Sequence, residues 1–194
     1  MNLYIVSLFE MKAELGLKDA QDDVTLGRWM EGLQGRFEEY CNRKFERVQN
    51  ETQILDGGGD YLLLRRFPVE AVASVHIDAE QSWTDSSLIS AMDYVLNQER
   101  GRLSYGASPW PAGKQNIRVI YNGGYVPSGR PVGTGEYAMP EALRSAFIIQ
   151  GEFEWRNRVN LGKQSIGAQG MNVNLAPAKF LPIVEQTLNS FSRV

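Results

Sequence analysis

The sequence has a single cysteine, Cys41, and a single histidine, His76. One cysteine excludes an internal disulfide, so the chain neither needs an oxidising compartment nor rules one out. Two such residues are too few for a zinc site. No uninterrupted apolar run approaches the ~20 residues a membrane-spanning helix needs. The first 17 residues carry Glu10, Lys12 and Glu14 and lack the basic start and apolar core of a signal peptide. The expectation is a soluble intracellular product with no membrane partner. Strong charge of one sign is missing too: the formal charge is −3, which argues against a general nucleic-acid binder. No internal repeat or low-complexity tract is present.

What remains describes a folded chain. At 194 residues with 43% hydrophobic side chains, it can fill a core, and 22% charged residues do not suggest disorder. Charge is uneven along it. Residues 1–44 carry net −2, residues 45–137 net −3 and residues 138–194 net +2.

The middle, residues 45–125, reads as strands, because its pieces are short, rich in β-branched and aromatic residues, and bounded by Gly, Pro, Asn or Asp. Residues 47–55 and 61–65 predict a hairpin across Asp56-Gly57-Gly58-Gly59-Asp60. Pro68 ends the second strand, and residues 73–78 alternate as a third. Residues 81–90 predict a polar loop with Trp83 near a strand edge. Residues 94–97 and 103–105 form a second hairpin, and residues 116–122 the last strand before Gly123-Gly124.

Helical spacing flanks this centre. Residues 7–15 predict a short helix ended by Gly16, with Leu8, Met11 and Leu15 on one face. A longer helix, capped by Asp22 or Asp23, runs to about Arg43 with Leu26, Trp29, Met30, Leu33, Phe37, Tyr40 and Cys41 in one stripe. Glu38 and Glu39 fall on its other side. Gly27, Gly32 and Gly35 lie off the stripe and read either as tolerated surface glycines or, slightly favoured, as a place where another backbone, such as a second copy, comes close. Pro140 opens a third helix reaching about Arg158. Leu143, Ala146, Phe147 and Phe153 are assigned to one side, with Ile148 and Trp155 roughly opposite. A helix apolar on two sides needs two partners, so Ile148 and Trp155 are candidate partner or subunit contacts. Residues 160–176 predict a mobile or partner-ordered segment, and Pro182 starts a final helix. The fold class is α+β: a helical frame, residues 1–44 and 138–194, around a β insertion, residues 45–137, in one domain.

Catalytic chemistry leaves little trace. His76 sits in a strand pattern between Val75 and Ile77, which suits a surface or pocket-edge residue better than a base. Cys41 lies on a core stripe and reads as a buried thiol. Gly57-Gly58-Gly59 lacks the following Lys-Ser or Lys-Thr of a phosphate loop, and a strand comes next. Asp78, Glu80, Asp85 and Asp93 could pair for glycoside hydrolysis only if two faced each other. Trp83, Trp110 and Tyr105 could line a sugar-binding face. No enzyme, cofactor or metal is expected.

Several stretches, taken in order, resemble one family. They are residues 7–17 followed by Asp22-Asp23, Tyr40-Cys41-Asn42-Arg43-Lys44-Phe45, and Arg66-Phe67-Pro68-Val69 with Val72 and Ser74-Val75. Asp93-Tyr94-Val95-Leu96, Gly101-Arg102-Leu103, Trp110-Pro111, residues 117–121 and Gly123-Gly124-Tyr125 continue the series. Pro140-Glu141-Ala142-Leu143-Arg144, Trp155-Arg156-Asn157-Arg158, Ser165-Ile166-Gly167 and Leu181-Pro182 complete it. The order resembles the head–tail connector (adaptor) proteins of long-tailed bacteriophages. The departures are the loop at residues 81–90 and the linker at residues 128–137.

That resemblance implies a structural virion protein at the neck, present in the host cytoplasm during assembly. It implies a homo-oligomeric ring, commonly dodecameric, under the portal protein, extending the channel for double-stranded DNA and offering a platform to a stopper or tail-completion protein. The mildly basic C-terminal segment makes Arg156, Arg158 and Lys163 candidates to touch DNA phosphates or an acidic portal surface. The alternative is a carbohydrate-binding β module of a phage or bacterial surface protein, which would not need the helical frame.

Overall fold

The computed structural model describes residues 5–158, 165–168, 171–174 and 180–193. The chain divides into two compact units, one of Met1–Cys41 with Pro140–Val194 and one of Asn42–Met139.

The first unit is helical: α1 (Leu8–Leu15), α2 (Asp23–Tyr40), α3 (Glu141–Arg156) and α4 (Pro182–Phe191). Ser7 caps α1 by accepting the Glu10 N–H at 3.2 Å. Gly16 ends it at φ 71°, returning its N–H to Ala13 and Lys12. At α2, Asp22 is the N-cap residue but makes no side-chain capping bond, and Asp23 instead takes Lys12 Nζ at 2.5 Å. The cap expected of a carboxylate is thus diverted into an α1–α2 ion pair. Leu26, Met30, Leu33, Phe37 and Cys41 are buried along the α2 stripe. Glu38, expected on the solvent side, is 7% exposed, one step round from Phe37. Gly32 and Gly35 have open space where a Cβ would stand, so nothing among the described residues requires glycine there.

The second unit holds two three-stranded sheets. β1 (Val48–Leu55), β6 (Ile117–Gly123) and β3 (Val69–Ile77) form one in the order β1-β6-β3. β2 (Tyr61–Leu63), β5 (Arg102–Tyr105) and β4 (Tyr94–Asn97) form the other in the order β2-β5-β4. Both are antiparallel. β7 (Tyr125–Val126) pairs in parallel with β8 (Tyr137–Ala138). Alternation decides the core: Ile117, Val119 and Tyr121 of β6 face inward, while Arg118, Ile120 and Asn122 do not. The inward set packs with Leu62 and Leu103 from the other sheet and with Trp110 from the β5–β6 connection.

The hairpin expected across residues 56–60 does not form, since β1 and β2 join different sheets. The glycines there give their backbone to residues 110–116 instead. Gly57 N–H donates to Gly113 and to Asn116 Oδ1, Gly58 N–H donates to Trp110 O, and Trp110 N–H returns to Gly59 O. A Cβ on Gly57 would lie 1.9 Å from Pro111 O, so only glycine permits this crossing. Gln53 replaces the missing ladder. Its amide donates to Leu63 O at 3.0 Å and its Oε1 accepts from Arg65 N–H and the Tyr121 hydroxyl. The Tyr121 hydroxyl is buried, and that burial raises its pKa.

The polar segment expected at residues 160–176 contains β9 (Ser165–Ala168) paired antiparallel with β10 (Met171–Asn174). Residues 159–164, 169–170 and 175–179 lie outside the described residues. α4 begins at Pro182, as the missing proline N–H favours.

Candidate functional site

The four helices bring most of the candidate residues of the C-terminal half together on α3. Leu143, Ala146, Phe147, Gln150, Gly151, Glu154 and Trp155 are its buried residues. Trp155 was expected opposite this set and Phe153 within it; the helix places them the other way round. Counting 3.6 residues per turn, Trp155 falls about 80° round from Phe147 and Phe153 about 240°. Trp155 is 4% exposed, with its ring centroid 5.8 Å from that of Trp29 on α2. Phe153 is 42% exposed, and Ile149, one turn before it, is 39%. Ile148 is half-buried between these flanks.

The candidate cations behave differently from one another. Arg156 is exposed and pairs with Glu152 at 2.7 Å along the helix. Arg158 folds back, its guanidinium 4.4 Å from the Trp155 ring centroid and donating to Trp155 O at 2.9 Å. It therefore lies over a face of that indole. Lys163 lies outside the described residues.

Beneath them runs a polar chain. Arg36 of α2 donates to Glu154 at 2.6 Å, and Gln150 donates to the same carboxylate at 2.6 Å. The Gln150 Oε1 accepts the Leu181 N–H just before α4 at 2.9 Å. α1 is held to α3 by Glu10 with Arg144, whose guanidinium also meets Glu141. These bonds raise the Arg144 pKa. A hollow of about 310 Å³ beside α1 is lined by Leu8, Phe9, Ala13 and Leu17, with the Lys12–Asp23 pair at its edge. Lys18 completes its lining, so it offers apolar surface beside charged side chains.

In the β unit, the side chains weighed for chemistry are engaged structurally. His76 is 7% exposed rather than at a surface, because residues 78–90 fold over it. Ser87 Oγ donates to Thr84 O at 2.8 Å and lies 3.1 Å from His76 Nδ1. Asp78 anchors that loop, accepting from Ser82 Oγ and the N–H groups of Trp83 and Glu80. Its carboxyl is held below the ordinary value, chiefly by the Ser82 hydroxyl, against the opposing effect of desolvation. Trp110 is 1% exposed with its indole N–H on Leu103 O, and it stacks on Tyr105 at 4.9 Å. Trp110 and Tyr105 are thus core partners, not a sugar-binding face, and Trp83 covers Arg118. Cys41 is buried against Leu188 O. Among the described residues, no group of three or more His, Cys, Asp or Glu could hold a metal ion, and no helix is long and apolar enough to cross a membrane.

No reactive centre is found among the described residues, and similarity to known proteins gives the family. The profile of the head completion protein family matches residues 4–194. The chain belongs to the head completion protein family. Among the curated proteins no sequence match is found. Solved structures with the same fold come from gene transfer agent (GTA) particles. The neck of an empty GTA particle, computed with C6 symmetry, gives a TM-score of 0.59 at 17% identity over 98% of this chain and 90% of that one. The virion of a native GTA particle gives 0.60 at 16%, over the same shares. The neck of a native GTA particle, computed with C12 symmetry, gives 0.53 at 17%, over 100% and 96%. As a member of this family, the chain is a head completion protein, a structural protein of the virion. The carbohydrate-binding alternative has no support.

The sequence reasoning missed the exposed pair Ile149 and Phe153. The signal was their i, i+4 spacing on the flank away from Phe147.

Proposed function

We propose that this head completion protein assembles as a twelve-membered ring beneath the portal protein. There it prolongs the DNA channel and presents a platform to a stopper or tail-completion protein. The chain is made in the host cytoplasm and acts in the neck. The observation that carries this reading is the family match, which spans residues 4–194 and not a fragment. The twelvefold neck of the GTA particle with the same fold supports the ring and its subunit count. Spare apolar surface on α3 suits a subunit that meets neighbours through two different faces. In this reading Ile148 and the Trp155 flank contribute to partner or subunit contact, with Trp155 acting through the shape of α3. Arg156, Arg158 and Lys163 lie toward the channel or an acidic portal surface. No enzymatic step is required of the protein.

Native mass spectrometry of the purified chain, with and without its portal protein, tests the ring. Twelve copies joined to the portal are expected. A chain that binds neither itself nor the portal refutes the proposal. Changing His76 and Cys41 together to Ala is expected to leave assembly intact. Normal folding and incorporation with loss of infectivity would assign one of them a reaction.

A further inference from the structure

The β unit is electrically polarised along its strands. β3 and β6 run antiparallel with Ile77 opposite Ile117 and Val69 opposite Gly123, so the sheet has an Ile77/Ile117 end and a Val69/Gly123 end. They lie roughly 20 Å apart at ~3.3 Å per residue. The connections β1–β2, β3–β4 and β5–β6 all lie at the first end. They bring Asp56, Asp60, Asp78, Glu80, Asp85 and Asp93 there, against Lys114 as the one cation. The connections β2–β3 and β4–β5, and the segments leading into β1 and out of β6, lie at the second end. Their exposed cations are Lys44, Arg65, Arg100 and Arg130. Of the carboxylates at this end, Glu70 and Glu136 are both taken up by Arg47, Glu51 of β1 pairs with Arg65 and Arg66, Glu46 is half-buried, and Glu99 is exposed next to Arg100 in the β4–β5 turn.

Each end also exposes apolar side chains. Met92 is 96% exposed and Leu88 51% at the acidic end, and Val132 is 47% exposed at the basic end. Water-facing apolar groups set among charges mostly of one sign fit a partner of the opposite sign with apolar groups of its own. The chain carries that partner surface itself, at the other end of the same unit.

Resting on the ring reading, we propose that copies associate through these ends: the acidic end of one β unit, with Met92 and Leu88, docks on the basic end of the next, with Arg100, Arg130 and Val132. The contact is heterologous, each copy giving one end and receiving the other, so it propagates and closes only as a ring.

The test uses the purified full chain and sedimentation velocity over a concentration series, at low and physiological ionic strength. Wild type is expected to associate, less tightly as salt rises, since screening shortens charge interactions to ~10 Å at 0.1 M. Glu80→Lys with Asp85→Lys, or Arg100→Glu with Arg130→Glu, should each weaken association on the order of tenfold or more. All four changes in one chain should restore it, because each reversed end then meets a reversed neighbour. Met92→Ser should weaken association without altering its salt dependence. All five side chains are exposed, so thermal melts should match wild type. The inference is overturned by a wild type that stays monomeric at high concentration and low salt. Reversed pairs that associate as wild type does, or a fourfold variant no better than either pair, also overturn it. Images of assembled particles separate the two levels. A neck ring unaffected by the reversals overturns this inference alone, whereas wild-type particles without a ring overturn the ring reading.

Discussion

Replacing Arg36 with Met should destabilise the helical unit far more than replacing Glu154 with Gln, although both changes break the same ion pair. The Glu154 side chain is 5% exposed and that of Arg36 is 36%. Removing the guanidinium strands a buried carboxylate with Gln150 as its remaining donor, and loss of one member of a buried pair costs about 3–5 kcal/mol. The retained Gln150 bond and the partial exposure of Arg36 put the expected loss near the low end, about 3 kcal/mol. Removing the carboxylate's charge leaves the guanidinium, which reaches water, and the Gln side chain keeps the size and an acceptor. That loss should be about 1 kcal/mol. In a chain of this size the two correspond to melting shifts of roughly 6–12 °C and 2–4 °C. Thermal and urea unfolding of the full chain, read by circular dichroism, measure both. An Arg36→Met, Glu154→Leu double variant should recover part of the single Arg36 loss, since an apolar pair replaces a stranded charge. Equal losses, or a larger loss from Glu154→Gln, would refute the reasoning that burial of the acid governs this network.

Trp155→Ala should cost about 3–5 kcal/mol by leaving a cavity beside Trp29, seen as a lower melting temperature; a neutral result would mean the indole is not part of the core. Asp78 has a depressed folded pKa, so its contribution to anchoring residues 78–90 is complete above the unfolded Asp pKa and disappears as pH falls through the lower folded value. Acid titration followed by Trp fluorescence, with Asp78→Asn as the flat reference, checks the direction. The free chain should bind duplex DNA weakly and without sequence preference. Neutralising Arg156, Arg158 and Lys163 should reduce the salt slope by about 0.9 for each phosphate that these side chains neutralise, and tight sequence-specific binding would contradict a channel wall.

The helices were legible because their stripes are long and their ends chemically marked. Ser7, Gly16 and Pro182 each stand where the helix boundary falls. Single-residue faces on α3 were less so, because Phe153 and Trp155 differ by two positions and their side is decided by where α2 packs. Strands were legible from alternation and the β4–β5 hairpin from its turn, but the pairing of β1 was not. Gly57-Gly58-Gly59 has the composition of a hairpin turn. What prevents one is the distant residues 110–116, whose carbonyl groups and Asn116 take the glycine N–H groups. The cover over His76 was hidden for a similar reason: residues 81–90 are polar, yet Asp78 and Ser87 tie them down locally. Exposed apolar residues such as Met92 carry no periodic mark at all.

The parallel alignment of residues 46, 125 and 137 gives the protein an order of folding. Glu46 bridges Tyr125, and Tyr125 pairs with Tyr137, so the chain comes into the β unit and leaves it about two strand spacings apart, roughly 10 Å. The helical unit is discontinuous: α2 and α3 are separated by Asn42–Met139. While that stretch is unfolded, bringing α2 to α3 closes a loop of nearly a hundred residues. Once it has folded, the gap is that of about three residues, and the difference in closure entropy is about 3 kcal/mol. The β unit should therefore gain hydrogen-exchange protection first. A chain released from the ribosome would carry its two helical halves unpaired until β6, the last strand of its sheet in the sequence, had found its place between β1 and β3.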